Sequence, residues 1–245
     1  MTTIATAKRE EKRESLIELA KTIVLALLIA LVIRSALVQP FRIPSGSMQP
    51  TLLVGDYIIV SKWSYGYSRF SLPFFSFGPG GRFFGADPER GDVIVFRPPH
   101  QPNSDFVKRL IGMPGDAVQM RGGVLHINGE PVQREFLGLQ DFRDGQSDRL
   151  IRLAVYRETL PNGVAYTTFD RETDGYLDDT PVFRVPEGHY FMMGDDRDGS
   201  DDSRQSVGFV PFDHLVGKAQ VTFLSFDSAS MLPSLRMTRF FKGVE

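Results

Sequence analysis

From Leu16 to Val38 the chain is an apolar run broken only by Glu18 and Lys21 near one end and Arg34 near the other. This is the strongest constraint in the sequence, because such a run reads as a helix and must find an apolar surrounding. The uninterrupted part, Ile23 to Ile33, is short by itself. With the flanking charges snorkelling outward, the whole run reaches the roughly 20 residues that a bilayer requires. A transmembrane anchor is therefore expected over residues 16–38. A cleaved leader is the competing reading, since such leaders carry about 7 to 15 apolar residues after a basic start. The anchor fits better, as no clear A-x-A site follows Arg34. Residues 1–15 are too polar to fold alone and form a tail. Lys8, Arg9, Lys12, Arg13 and Lys21 put that tail in the cytoplasm by the positive-inside rule, and Arg34 and Arg42 weaken the asymmetry without reversing it. The large C-terminal part is then exported.

Beyond residue 40 the pattern is β. Gly55-Asp56, Gly91-Asp92 and Gly115-Asp116 each lead from a turn into apolar residues and read as strand starts. Asn128-Gly129 predicts a tight hairpin, and Asn162-Gly163 and Asp174-Gly175 are further hairpin candidates. Few helices are expected outside the anchor. Residues 126–187 are richer in polar side chains and hold none of the candidate catalytic residues. They read as an inserted β subdomain in a catalytic core of residues 39–125 and 188–245. Between Tyr65 and Gly85, Phe70, Phe74, Phe75, Phe77, Phe83 and Phe84 stand among Pro and Gly. Such a loop suits the membrane interface, with burial under the domain as the alternative.

Composition removes several kinds of chemistry. A chain of 245 residues, 42% hydrophobic and 24% charged, can bury a real core. Its net charge of −2 leaves no global basic surface for nucleic acid. The absence of cysteine excludes a thiol nucleophile, a thiolate metal site and disulfides. His100, His126, His189 and His214 lie far apart and fit no H-E-x-x-H pattern. Asp196-x-Asp198-Gly199 and Asp170-x-Glu172-x-Asp174-Gly175 resemble parts of a calcium loop, but neither has the later bidentate glutamate.

Three stretches remain. Ser47 sits in Pro44-Ser45-Gly46-Ser47-Met48-Gln49-Pro50-Thr51, where small residues and two prolines let a hydroxyl project into a cleft. A serine is a weak nucleophile until a base takes its proton. With cysteine absent and the histidines badly placed, the next candidate base is a lysine whose pKa, ordinarily about 10.4, is lowered by burial. Lys108 shares one strand face with Phe106 and Leu110, which aims it inward, and Arg109 faces the other way. The third stretch, Met192 to Arg204, packs acids beside Arg197 and Arg204, and its Ser200 or Ser203 could turn a hydroxyl toward a lysine amine.

Together, Pro44–Leu52, Lys108–Asp116 and Gly194–Arg204 resemble, in order, the three boxes of the type I signal peptidases, also called leader peptidases. The resemblance implies a mostly antiparallel, barrel-like β core. It implies a membrane-bound serine endopeptidase with Ser47 as nucleophile and Lys108 as general base, then acid. The Ser47 N–H and the Ser45 hydroxyl would hold the oxyanion, and Ser200 would orient the lysine. Arg109, Asp195, Asp202 and Arg204 would form structural ion pairs, and Met48 would line the substrate cleft. The family usually has asparagine where this chain has Asp196 and Gly199. The implied partners are membrane lipid and precursors cut after an A-x-A sequence at the bacterial inner membrane, with no metal or organic cofactor. A self-cleaving repressor would share the dyad but need a DNA-binding segment. An exported binding module would leave Ser47 and Lys108 merely structural.

Overall fold

One device repeats at the three Gly-Asp turns. Gly55, Gly91 and Gly115 take φ of +91°, +99° and +86°, a region that a Cβ disfavours. The aspartate after each accepts a main-chain N–H from three residues earlier. Leu53 donates to Asp56 Oδ2 at 2.9 Å, Glu89 to Asp92 at 3.1 Å and Met113 to Asp116 at 2.7 Å. Each carboxylate also pairs with a distant cation: Arg239, Lys218 and Arg90 respectively. The turns thus hold themselves locally and are tied down by tertiary contacts.

The computed structural model describes residues 2–32, 37–71, 81–143, 150–172, 174–227 and 234–244. The first strands are β1 (Val38–Arg42), β2 (Asp56–Ser61), β3 (Val93–Phe96) and β4 (Phe106–Gly112). After them come β5 (Ala117–Arg121), β6 (Val124–Ile127) and β7 (Glu130–Pro131). The long strands β8 (Gln133–Arg143), β9 (Leu150–Thr159) and β10 (Ala165–Asp170) follow. The chain closes with β11 (Phe183–Arg184), β12 (His189–Met193), β13 (Val210–Pro211), β14 (Leu215–Asp227), β15 (Ser234–Leu235) and β16 (Lys242–Gly243).

The main sheet is antiparallel in the order β1-β2-β14-β3-β4-β12-β13, with β15 and β16 also on β14. It curls into a half-barrel. Register shifts along β14 against both β2 and β3 provide the bend. The expected barrel-like core is therefore open, since β1 and β13 end the sheet without meeting. A second sheet has the order β11-β5-β6-β7 and a third β10-β9-β8. One apolar core, including Ile43, Leu52, Ile58 and Val93, lies under residues 43–52. Another joins Ile111 and Phe191 to Val118, Leu125 and Ile127.

Asn128 and Gly129 both take positive φ between β6 and β7, as a type I′ hairpin requires. Asn162-Gly163 turns β9 into β10, with Leu160 N bonded to Val164 O at 2.8 Å. Asp174-Gly175 departs from expectation: it turns the chain but joins no strand pair, since β10 ends at Asp170 and β11 begins at Phe183. The polar groups there are satisfied elsewhere, by Gly175 N on Asp178 and Arg171 N on Asp198.

The N-terminal segment forms α1 (Thr2–Val32). Every residue from 15 to 31 is exposed, including Leu16 at 63% and Leu27 at 64%. Among the described residues no helix is long and apolar enough to cross a membrane. The expected anchor's residues 33–36 lie outside them. In the aromatic loop, Phe74, Phe75 and Phe77 also lie outside the described residues. Phe70 packs edge-on against His214 at 4.8 Å, whereas Phe83 and Phe84 are exposed.

Candidate active site

Ser47 lies in a tight turn between β1 and β2, in which Gln49 N bonds Gly46 O at 2.9 Å and Leu52 N bonds Met48 O at 2.8 Å. Met48 is fully buried in the apolar core beneath. The structure places its side chain in that core, whereas the resemblance implies that it lines the cleft. Ser47 Oγ lies 2.6 Å from Lys108 Nζ. The lysine comes from β4, which is covered on both sides by β3 and β12, and its side chain is 3% exposed. Burial lowers its pKa from the ordinary 10.5 to about 8, against a smaller upward pull from Asp202, Asp201 and Asp195. An amine in that range is neutral often enough near neutral pH to accept a proton.

Arg109 points to the opposite face of β4 yet is also fully buried. Its guanidinium forks onto Asp195, with Nε–Oδ1 at 2.9 Å and Nη2–Oδ2 at 2.8 Å, and donates to Gly91 O at 2.8 Å. The Thr51 hydroxyl joins them, donating to Asp195 Oδ2 at 2.5 Å. Asp202 pairs with Arg204 in the same forked way, at 2.9 and 2.8 Å, and accepts Gly194 N at 3.0 Å. The Arg109–Asp195 pair ties the 194–204 loop to β4 and, through Thr51, to the Ser47 turn. The Asp202–Arg204 pair closes that loop on itself with Arg204 Nη2 on Arg197 O, and Asp196 N bonds Ser47 O directly at 3.2 Å. Among the described residues no group of three or more His, Cys, Asp or Glu could hold a metal ion.

The family described as "Signal peptidase, peptidase S26" matches residues 16–224. The chain belongs to this family. Signal peptidase I of Rickettsia typhi is 46% identical over 206 residues, 80% of this chain and 76% of that protein. Signal peptidase I of Rickettsia akari matches at 46%, over 80% and 75%. A solved signal peptidase I from Enterococcus faecalis V583 is 30% identical and covers 54% of this chain and 97% of its own, with a TM-score of 0.32. The protein is accordingly a serine peptidase, a hydrolase of the signal peptidase I type.

Gly194 in this signal peptidase has a steric reason. A Cβ there would collide with Ser200 Oγ and Ser47 O, so only glycine lets the two loops meet. Ser200 is buried, and its hydroxyl makes no hydrogen bond among the described residues, including the expected one to the Lys108 amine. Ser45 is half-buried in the bend just before Ser47. The departures at Asp196 and Gly199 fit one another. Asp196 is fully buried, is forked by Arg171, with Nε–Oδ1 at 3.0 Å, and accepts Gly199 N at 3.1 Å. A side chain at 199 would strike Asp196 and come within 2.7 Å of Arg171 Nη2.

Sequence reasoning assigned no site role to Thr51 or to residues 126–187. Yet Glu158 on β9 pairs with Arg197, the Tyr166 hydroxyl donates to Glu158 at 2.9 Å, and the Tyr166 ring lies 4.1 Å from the Arg109 guanidinium carbon. Arg171 belongs to the same buttress. Glu158 and Tyr166 stand on β9 and β10 of the region read as a β insert, and nothing local marked them as partners of the closing loop.

Proposed function

We propose that this enzyme removes signal peptides from exported precursor proteins, with Ser47 as nucleophile and the neutral Lys108 amine as general base. The observation that carries the reading is the 2.6 Å approach of Lys108 Nζ to Ser47 Oγ, with both side chains buried. As Oγ bonds to the scissile carbonyl carbon, its proton passes to Lys108 and the carbonyl electron pair moves to oxygen. The Ser47 N–H and the Ser45 hydroxyl stabilise that oxyanion. The C–N bond then breaks, the leaving amine takes the proton from Lys108, and water activated by the same amine releases the acyl group. Arg109–Asp195 holds the two loops together, and Asp202–Arg204 fixes the shape of the closing loop. The chemistry calls for no metal or organic cofactor.

The anchor reading rests on the exposed apolar side chains all along α1 between Leu16 and Leu31, which in water would face solvent on every side. The segment from Leu16 up to β1, which takes Val38 into the main sheet, then crosses the bacterial inner membrane once. The tail of residues 1–15 lies in the cytoplasm, and the catalytic core of residues 39–125 and 188–245, with its insert of residues 126–187, lies on the exported side. Anchoring enzyme and precursor in one bilayer raises their effective concentration.

The test uses the full chain in lipid vesicles with a precursor bearing A-x-A, and locates the cut by mass. Cleavage after the last small residue is expected, with none by Ser47→Ala. Cleavage by Ser47→Ala, or intact precursor with the wild type, would refute the reading.

A further inference from the structure

Between residues 234 and 244, Arg239 is the one buried residue. Its neighbours Met237, Phe240 and Phe241 are 67%, 52% and 66% exposed. Strand pairing of β15 and β16 with β14 and the packing of Val244 on the apolar core tie the segment down. Its side-chain polar contacts converge instead on the loop that carries Ser47.

Arg239 donates to Asp56 through Nε at 3.0 and 3.1 Å and through Nη2 at 2.5 Å. The same Nη2 donates to Thr51 O at 2.8 Å. Asp56 is fully buried and closes the nucleophile loop by accepting Leu53 N. Arg236 adds a bond to Val54 O at 3.0 Å. Thr51 is thus held at both ends, its carbonyl by Arg239 and its hydroxyl by Asp195 and Arg109. It follows Ser47 by four residues, and the bond from Leu52 N to Met48 O carries its position to Ser47.

We propose that Arg239, through Asp56 and Thr51, is a positioning residue that sets where the Ser47 hydroxyl stands relative to Lys108. The proposal rests on reading those two residues as the dyad. Arg239 touches no reacting group. It acts by filling two acceptors that lie between the nucleophile turn and β2, which the exposed C-terminal segment brings across 183 residues of chain. A lysine at this site could reach one acceptor but not span both.

The experiment compares wild type with Arg239→Ala, Arg239→Lys and Asp56→Asn, each as the full chain in vesicles with an A-x-A precursor. The expected loss for Arg239→Ala is about 10- to 100-fold in kcat, since displacement of a reacting group by about 1 Å costs that much. KM should stay within about twofold. The pH midpoint of kcat/KM should match wild type, because Lys108 and its surroundings are untouched. Added guanidinium ion should restore part of the lost kcat, and methylammonium should not. Arg239→Lys should fall between wild type and Arg239→Ala, and adding Asp56→Asn to Arg239→Ala should cost little more. If Arg239→Ala does not fold, the same kcat, KM and pH readouts on Arg239→Lys decide. The proposal is overturned by unchanged kcat, by a rise in KM alone, or by a folded Arg239→Ala that guanidinium does not rescue. Ser47→Ala in parallel separates the two readings. Its continued activity would end the dyad itself, whereas its inactivity beside a normal Arg239→Ala would end only this inference.

Discussion

Lys108 should make the protein less stable in the pH range where cells live. The gap between its value of about 8 and the ordinary 10.5 corresponds to about 3 kcal/mol at 25 °C. Because the folded-state pKa is depressed, the protonated amine is disfavoured by folding. The penalty is full below pH 8, shrinks between 8 and 10.5, and is gone above 10.5. Lys108→Met removes the charge and keeps an unbranched side chain of similar length. It also loses the bond to Ser47, at a cost of about 1 kcal/mol. The variant should therefore be more stable than wild type at pH 7 by about 2 kcal/mol, a rise in melting temperature of about 4–8 °C for a chain of this length. Unfolding of both proteins, followed by circular dichroism between pH 7 and 10, measures the gap. It should narrow steadily as pH rises. A variant less stable at pH 7, or a gap that ignores pH, would refute the desolvation argument. The kinetic counterpart is that wild-type kcat/KM at pH 7 should be about a tenth of its alkaline plateau and reach half of it near pH 8, and that Lys108→Met should not cleave.

Gly194→Ala should lower kcat by about 100-fold or more, as its Cβ drives Ser200 and the Ser47 carbonyl apart. Steady-state kinetics with an unchanged far-ultraviolet spectrum would show it. Arg109→Lys should lower unfolding stability by about 3–5 kcal/mol, because one ammonium cannot replace the fork onto Asp195 and the bond to Gly91 O. A urea midpoint equal to that of wild type would contradict this.

Much of the architecture is written in short stretches. The helix follows from the apolar run over residues 16–32 but not in its extension back to Thr2, through residues read as a tail too polar to fold alone. The hairpins at 128–129 and 162–163 follow from Asn-Gly chemistry, and the strand starts from Gly-Asp turns that bond within three residues. Asp174-Gly175 shows the limit. This Asp-Gly pair makes a turn without a hairpin, because residues before it bond to the 196–198 loop. Met48 shows another, since adjacency to a nucleophile does not tell which way a side chain points.

By itself the sequence determined the kinds of element, since turn geometry and periodicity act over a few residues, and its resemblance to the signal peptidases pointed to the three boxes that contain Ser47 and Lys108. Tertiary structure alone decided that Arg109 takes Asp195 while Arg204 takes Asp202, that Glu158 and Tyr166 brace the closing loop, and that Arg239 reaches back to Asp56. Any arginine can pair with any nearby carboxylate. Which one is near depends on how β14, β4 and β12 lie in one sheet, and that register is set by the packed core and not by the residues beside each charge.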